Sequence, residues 1–231
     1  MTQLVTRERV LRALDGVIDP ELDEPITTLR FVSSVSVTPA GDVEVSLRLP
    51  TPQCAPNFAF LMAADARNAV RRLPEVQSVT VTLDDHYTAD EINAALSHDQ
   101  GFTGAFPGET DDDELHALRE LFQRKALVAR QATICEQQLR AGASAEQVVA
   151  LTVEDLPPEA ARCLELRAQL GIESRAAFVT PDGEPLAADQ LERWLRMARL
   201  IRTSLEANGG ICRALLQVRH QLATEPEEIL R

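Results

Sequence analysis

Residues 43–57, VEVSLRLPTPQCAPN, decide the fold of the first part of this 231-residue chain. The first half of this segment alternates apolar and polar side chains, which predicts a strand with one buried face. Apolar residues then recur at helical spacing from about Asn57 to Leu73, and Pro74 ends the predicted helix. Cys54 is therefore predicted to lie at a corner between a strand and a helix.

The predicted position of Cys54 gives its thiol two interpretations. At the N-terminus of a helix, the helix dipole and unpaired backbone N–H groups favour the thiolate, which binds metals or attacks electrophiles. A single free cysteine is more often a small buried apolar residue. Cys54 is therefore a candidate metal ligand, with core packing as the alternative.

The neighbouring segments predict the rest of a small domain. A short helix is predicted after Thr6, and strands are predicted over residues 31–37 and 76–83. The order helix, strand, strand, helix, strand predicts a small α+β sandwich whose helices cover one face of the sheet. Before the first strand lies Asp19-Pro20-Glu21-Leu22, which predicts a turn with solvated carboxylates because proline interrupts regular structure.

Several of these features together resemble the SufT/PaaD-like iron–sulfur cluster assembly domain family. They are Asp19-Pro20-Glu21-Leu22, the hairpin of the predicted strand over residues 31–37 and the strand that begins at Val43, the threonine-rich loop with Cys54 and the final strand. Members of that family are small proteins or domains that help to deliver iron–sulfur clusters or otherwise mature metalloenzymes. The resemblance covers roughly residues 6–96, so residues 1–96 are predicted to form an iron–sulfur assembly-like domain.

The resemblance also implies which residues form the site. Cys54 is the candidate metal ligand, with Asp19 and Glu21 as further candidates. Thr51 and Pro20 would shape the loops. One thiolate cannot fill the four protein ligand positions of a cluster, so the others would come from a partner, a small thiol or a second copy of this chain. A homodimer that brings two Cys54 residues together would meet this need.

Two features depart from the family pattern. The family often has proline directly after the cysteine, whereas Ala55 stands between Cys54 and Pro56 here. The PaaD-type members also carry a cysteine-rich C-terminal segment, which this chain does not have. The geometry of the loop and the source of further ligands therefore differ from what the family pattern implies.

The region after the sandwich changes character. Residues 97–113 are acidic and contain glycine and proline, which predicts a linker. Before it, Thr88 and Glu91 predict a capping box at the start of a short helix. Two interpretations of the histidines near the acidic residues of this region stay open. One is a metal site with histidine and aspartate ligands, and the other is simple solvation. The histidines are His86, His98 and His116.

Residues 114–231 predict a mainly α-helical domain, because apolar residues recur at helical spacing through long segments. The longest predicted helix runs from Leu186 to Ala207 and closes at Gly209-Gly210, and a last helix follows over residues 211–222. This domain is predicted to dock a client or partner. Three cysteines in apolar helical contexts are predicted to pack in cores. They are Cys135, Cys163 and Cys212.

Composition narrows the partners and the location. The formal net charge of −13 argues against nucleic acid and membranes as partners. No basic segment followed by an apolar run opens the chain, and no window approaches about 18 apolar residues, so a cytoplasmic protein is predicted. The scattered cysteines predict reduced thiols and exclude a zinc ribbon.

These observations lead to a hypothesis of metallocentre maturation. The chain would be a scaffold, carrier or adaptor in iron–sulfur cluster assembly, and not an enzyme. It would bind a cluster or iron transiently and serve a client metalloenzyme or the assembly machinery. The helical domain would select the client.

Three alternatives stay open. Relatives of the family can accompany multicomponent oxygenases, so the client could be a di-iron enzyme. The chain could be a pure interaction protein, because its helical half carries no chemical motif. It could also use Cys54 as a nucleophile, although only a folded-back His86 or His98 could then serve as the base. Phosphate-loop, GxSxG and HExxH motifs do not occur in the sequence.

Overall fold

The computed structural model describes residues 4–109 and 112–222. The contacts among these residues group the chain into two compact units. Among the described residues, 4–109, 112–116 and 209–222 form unit 1, and Ala117–Asn208 form unit 2. The end of the predicted helical domain thus belongs with the N-terminal sandwich.

Unit 1 begins with the predicted sandwich. Thr6 caps the first helix, because its hydroxyl accepts a hydrogen bond from the N–H of Arg9 at 3.3 Å. The elements follow in the predicted order, with an added small hairpin before the main sheet and short helices after it. They are α1 (Arg7–Leu14), β1 (Ile18–Asp19), β2 (Glu24–Pro25), β3 (Val32–Val37), β4 (Asp42–Arg48), α2 (Pro56–Arg71), β5 (Ser78–Asp84), α3 (Ala89–Ser97) and α4 (Phe102–Ala105).

The main sheet has the strand order β3-β4-β5. β3 and β4 are antiparallel, whereas β5 runs parallel to β4 with Val81 opposite Val45. A parallel pair needs a crossover connection, which α2 provides. The separate hairpin pairs β1 with β2 and places Asp19 opposite Glu24. The motif around Pro20 is therefore the turn of this hairpin.

The core of unit 1 lies between the sheet and its helices. The predicted alternation of β4 is confirmed, since Val43, Val45 and Leu47 are each 1% exposed. From α2, Ala63 and Ala66 are fully buried in the same core. The predicted fold class, an α+β sandwich followed by a mainly helical part, is confirmed.

Unit 2 is built from helices around a core of its own. This core is largely aliphatic and includes Leu127, Leu166 and Phe178, each 1% exposed or less. The first residues of its first helix and the last residues of its last helix belong to unit 1. The helices are α5 (Asp112–Arg140), α6 (Ala145–Val149), α7 (Ala161–Gln169) and α8 (Leu191–His220).

The predicted break at Gly209-Gly210 is wrong, because α8 continues through both glycines. A glycine inside a helix costs about 1 kcal/mol relative to alanine, which tertiary contacts can offset. Here Arg213, one turn further on, pairs with Glu24 at 2.8 Å. A Cβ at Gly209 would lie 3.1 Å from Nη2 of Arg213, which is tighter than most Cβ contacts, so a larger residue there would require the Arg213 side chain to shift.

The predicted linker packs partly onto unit 1. Within it, α4 buries Phe102, whose ring stands edge-on to that of Phe60 at 5.4 Å between centroids. Residues 110 and 111 of the predicted linker, and the side chain of Asp112, lie outside the described residues. Across the described ranges, none of the helices has the length and apolar character needed to cross a membrane.

Candidate functional site

Cys54 lies at the predicted corner, in the loop between β4 and α2. Ala55 is the N-cap residue of α2, and Pro56 is the first helical residue. Proline suits this position because the N–H it lacks would have no partner inside the helix. The thiol is half-buried and packs beside the core of unit 1. It is thus held at the entrance of the helix and keeps partial access to solvent.

Thr51 shapes the loop that carries Cys54. Its carbonyl oxygen accepts the backbone N–H of Cys54 at 3.4 Å, and its hydroxyl oxygen accepts the N–H of Gln53 at 3.2 Å. The same hydroxyl oxygen lies 3.7 Å from the Cys54 sulfur. These contacts hold the loop around the thiol.

His86 clamps the same loop from the far end of β5. His86 is 7% exposed, and its Nδ1 accepts the backbone N–H of Thr88 at 3.3 Å. A carbonyl oxygen can only accept, so Nε2 carries a proton and donates it to the carbonyl oxygen of Cys54 at 2.7 Å. The N–H of Tyr87 adds a bond to the carbonyl of Pro52 at 3.0 Å. The β5–α3 connection thus fixes the backbone of Cys54.

The contacts of His86 also involve Thr88, the residue predicted to begin a capping box. The hydroxyl of Thr88 lies 3.1 Å from Nδ1 of His86 and makes no cap bond to α3. Thr88 is still the N-cap residue, but its side chain serves the histidine. The capping interaction with Glu91 is therefore wrong.

The hypothesis of a histidine–aspartate metal site finds no matching geometry. His98 is exposed at the end of α3, where its Nδ1 lies 2.8 Å from the carbonyl of Ala94. His116 is exposed on α5. In residues 4–109 and 112–222, no three histidine, cysteine, aspartate or glutamate side chains are grouped to hold a metal ion.

Asp19 holds the turn of the β1–β2 hairpin. Its Oδ1 accepts the backbone N–H groups of Glu21 at 2.8 Å and of Leu22 at 2.9 Å. Its carbonyl accepts the N–H of Asp23, which adopts a left-handed backbone with φ of 52°. Pro20 lies inside this turn. The hairpin is thus closed around the Asp19 carboxylate.

The prediction of solvated carboxylates is wrong for Asp19, which is 6% exposed. Burial raises the pKa of its carboxyl to about 6, although the two backbone N–H donors favour the charged form. The negative charges of Glu21 and Glu24 add to the rise. Glu21 itself is half-buried. The side chain is therefore a poorly solvated group in the turn of the hairpin and not a surface charge.

Cys212 from α8 lies near Asp19, Glu21 and Cys54. Burial raises the pKa of its thiol to about 11, and negative charge on Asp19, Cys54 and Glu21 contributes to the rise. Arg213 opposes this effect. Like Cys54, Cys212 is half-buried against the core of unit 1. The sequence placed it in a core, and its spacing from Cys54 gives no signal of this proximity.

Arg219 secures the end of α8 on both strands that lead into the site. Its Nη1 donates to the carbonyl of Leu49, at the start of the Cys54 loop, at 3.2 Å. Its Nη2 donates to the carbonyl of Asp85, next to His86, at 2.8 Å, and also pairs with the Asp85 carboxylate. The helix end is therefore attached to the two connections that surround Cys54.

The site lies in the part of the chain that has known relatives. A model of the iron–sulfur cluster assembly protein family matches residues 7–83. An uncharacterized protein of Methanocaldococcus jannaschii is 36% identical over 93 residues, which cover 96% of that protein and 40% of this chain. The chain belongs to the iron–sulfur cluster assembly protein family. The resemblance stated from the sequence is confirmed at this level.

An iron–sulfur cluster carrier protein of Mycobacterium leprae is a second relative of this chain. It is 33% identical over 78 residues, which cover 34% of this chain. The matched region spans 20% of that relative's length. The likeness thus concerns one domain of a longer protein.

The family model covers only part of the candidate site. Asp19, Thr51 and Cys54 fall within residues 7–83. His86 and Cys212 fall outside this range. The clamp on the loop and the second thiol are therefore contributed by segments beyond the family model.

Proposed function

We propose that this protein carries an iron–sulfur cluster, bound transiently through the Cys54 thiolate, to a client metalloenzyme or to the assembly machinery. The observation that carries the proposal is the position of Cys54. It is a half-buried thiol in the loop of the domain that matches the cluster assembly family. Thiolates are the protein ligands that iron–sulfur clusters prefer.

The surroundings of Cys54 support a positioned but replaceable ligand. Its N–H and its carbonyl are both bonded, to Thr51 and His86, so the backbone that carries the sulfur is fixed. The thiol itself is partly accessible. A ligand set that this chain fills only in part would let the cargo leave again, which a carrier requires.

Asp19 and Glu21 support the site in different ways. One carboxylate oxygen of Asp19 accepts two backbone N–H groups in the turn of the β1–β2 hairpin, so we assign this residue a role in holding that turn. Its charge, together with that of Glu21, affects the thiol of Cys212 and so shapes the electrostatics of the site. We place neither carboxylate among the required ligands of the cargo.

The contacts of His86 argue against catalysis by Cys54. A general base must reach the proton that it removes. The Nε2 proton of His86 is directed to the Cys54 carbonyl, and Nδ1 accepts from Thr88. The ring therefore acts as a clamp. A role in cargo binding without catalysis is part of our proposal.

The test is anaerobic purification of the full chain followed by measurement of iron, acid-labile sulfide and zinc per chain. The variants are Cys54→Ala and, as a matched control, Cys163→Ala, whose thiol is 2% exposed in unit 2. We expect iron and sulfide in the wild type and the control and their loss from Cys54→Ala.

Other results of this measurement would redirect or overturn the proposal. Iron without sulfide, lost in Cys54→Ala, would replace the cluster by iron for a di-iron client. Equal iron and sulfide in Cys54→Ala would remove Cys54 from the site. Metal-free protein in every preparation would contradict the carrier role and leave an interaction protein.

A further inference from the structure

The C-terminal part of α8 turns one face toward unit 1. Cys212, Leu216 and Arg219 are spaced by four and three residues and so share one side of a helix. Leu216 is 2% exposed in the core of unit 1, and Arg219 bonds the carbonyl of Leu49. Cys212 thus lies on the inward face.

The residues beside this face have the opposite environment. Ile211 is 58% exposed, Leu215 is 43% exposed and Val218 is 81% exposed. The contrast fixes the rotation of the helix in unit 1. The thiol of Cys212 is therefore directed at the sandwich, where it is half-buried.

Contacts on both sides of Cys212 fix its position along the chain. Arg213 pairs with Glu24 through both carboxylate oxygens, at 2.8 and 2.9 Å. Glu24 is the strand partner of Asp19 in the hairpin. Arg219 binds the connections that begin the Cys54 loop and precede His86. Cys212 is thereby held between the hairpin and the Cys54 loop.

We propose that Cys212 is a second sulfur ligand of the Cys54 site, so that this chain supplies two thiolates to a thiophilic metal cargo. The inference rests on the proposed function of Cys54 and adds a ligand that the family match does not contain. Two soft sulfur donors favour iron–sulfur clusters and ions such as Zn²⁺ and Cd²⁺ over hard cations.

The chemistry of this step is an exchange of protons for metal. When a divalent ion binds, each thiol gives one proton to water and forms one sulfur–metal bond. No third ligand is grouped with these sulfurs among the described residues. The remaining positions are left to a partner, a small thiol or a second copy.

The first test is a titration of the full chain with Cd²⁺ in the absence of oxygen, followed by the ultraviolet absorption of cadmium–thiolate bonds. The variants are Cys212→Ala, Cys54→Ala and the control Cys163→Ala. We expect the absorption change per bound ion in Cys212→Ala to be about half that of the wild type, with affinity at least about tenfold weaker. Cys163→Ala should match the wild type.

The outcomes separate this inference from the proposed function. A Cys212→Ala variant that matches the wild type while Cys54→Ala loses binding would overturn the role of Cys212 alone. Unchanged binding in both variants would overturn both proposals. A wild type that binds no Cd²⁺ through thiolates would do the same.

A second test uses the wild-type chain and needs no metal. Dibromobimane alkylates two neighbouring thiols, each attack forming a carbon–sulfur bond and releasing bromide, and becomes fluorescent when both have reacted. We expect a bridge between Cys54 and Cys212, identified by peptide mass analysis and missing from Cys212→Ala. Reaction of the two thiols with separate reagent molecules would contradict the proposed pair.

Discussion

The carboxylate of Asp19 combines two backbone hydrogen bonds with near-complete burial. Its folded-state pKa of about 6 exceeds the ordinary pKa of 3.8 for an aspartate, so the folded chain holds this proton more tightly than the unfolded chain. The resulting stabilisation is complete below the unfolded value and is lost as pH rises through about 6. The loss amounts to at most about 3 kcal/mol.

Asp19→Asn should remove this pH dependence. The amide oxygen can still accept the N–H groups of Glu21 and Leu22, but the side chain cannot ionise. We expect the free energy of unfolding of the variant, relative to wild type, to rise between about pH 4 and pH 8. Urea unfolding of metal-free protein measures it. Parallel pH profiles for the two proteins would refute the assigned burial of this charge.

His86 should stabilise the Cys54 loop through its two ring contacts. We expect His86→Ala to lower the free energy of unfolding by about 1–3 kcal/mol, because the Cys54 carbonyl loses its donor. Hydrogen exchange of residues 50–55 should accelerate. His98→Ala is the control, since His98 is exposed. Equal effects of the two substitutions would argue against a clamp.

The sequence predicts the position of Cys54 well and the environment of Asp19 poorly. The strand and helix that flank Cys54 carry strong local patterns, so their corner can be located from residues 43–73 alone. The burial of Asp19 depends on contacts made by distant segments. Local pattern describes a turn but gives no information on what covers it.

At the scale of elements, α8 shows where local signals mislead. Gly209-Gly210 is a helix-ending signal, yet the helix continues because its next turns bind Glu24, Leu49 and the core of unit 1. By contrast, β4 and α2 begin and end within about two residues of their predicted positions, because their patterns agree with their packing. In α8 the tertiary contacts oppose the local signal, and they determine where the helix ends.

Arg219 should control how firmly the end of α8 is attached. Arg219→Ala removes the bonds to Leu49 and Asp85, so we expect alkylation of Cys212 by iodoacetamide to become several-fold faster. Arg196→Ala is the control on the same helix, because its partner Glu192 is one turn away and both are exposed. An unchanged rate in Arg219→Ala would show that these bonds do not hold the helix end.

At the scale of the whole molecule, a segment late in the sequence belongs to the same unit as the N-terminal residues. Residues 209–222 belong to unit 1, where Cys212 packs against the same core as Cys54. No sequence pattern predicts this grouping, because a contact between segments that are far apart in the sequence has no local periodicity. The family, by contrast, is readable from residues 7–83, where motif and fold coincide.

Leu216 tests this grouping of the two chain ends. It is 2% exposed, so we expect Leu216→Ala to cost about 2–4 kcal/mol. Hydrogen exchange should then accelerate in unit 1 and stay unchanged in unit 2. The control is Leu200→Ala, which is 75% exposed in the wild type and should cost less than about 0.5 kcal/mol. Accelerated exchange confined to unit 2 would contradict the grouping.

The most direct measurement of the central claim is cluster transfer. The chain is loaded anaerobically with iron and sulfide and mixed with an apo-protein that accepts a cluster, and the visible absorption of the acceptor is followed. We expect rapid transfer from the wild type and little from Cys54→Ala. Transfer from Cys54→Ala, or from free iron and sulfide, as fast as from the wild type would contradict a carrier role for Cys54.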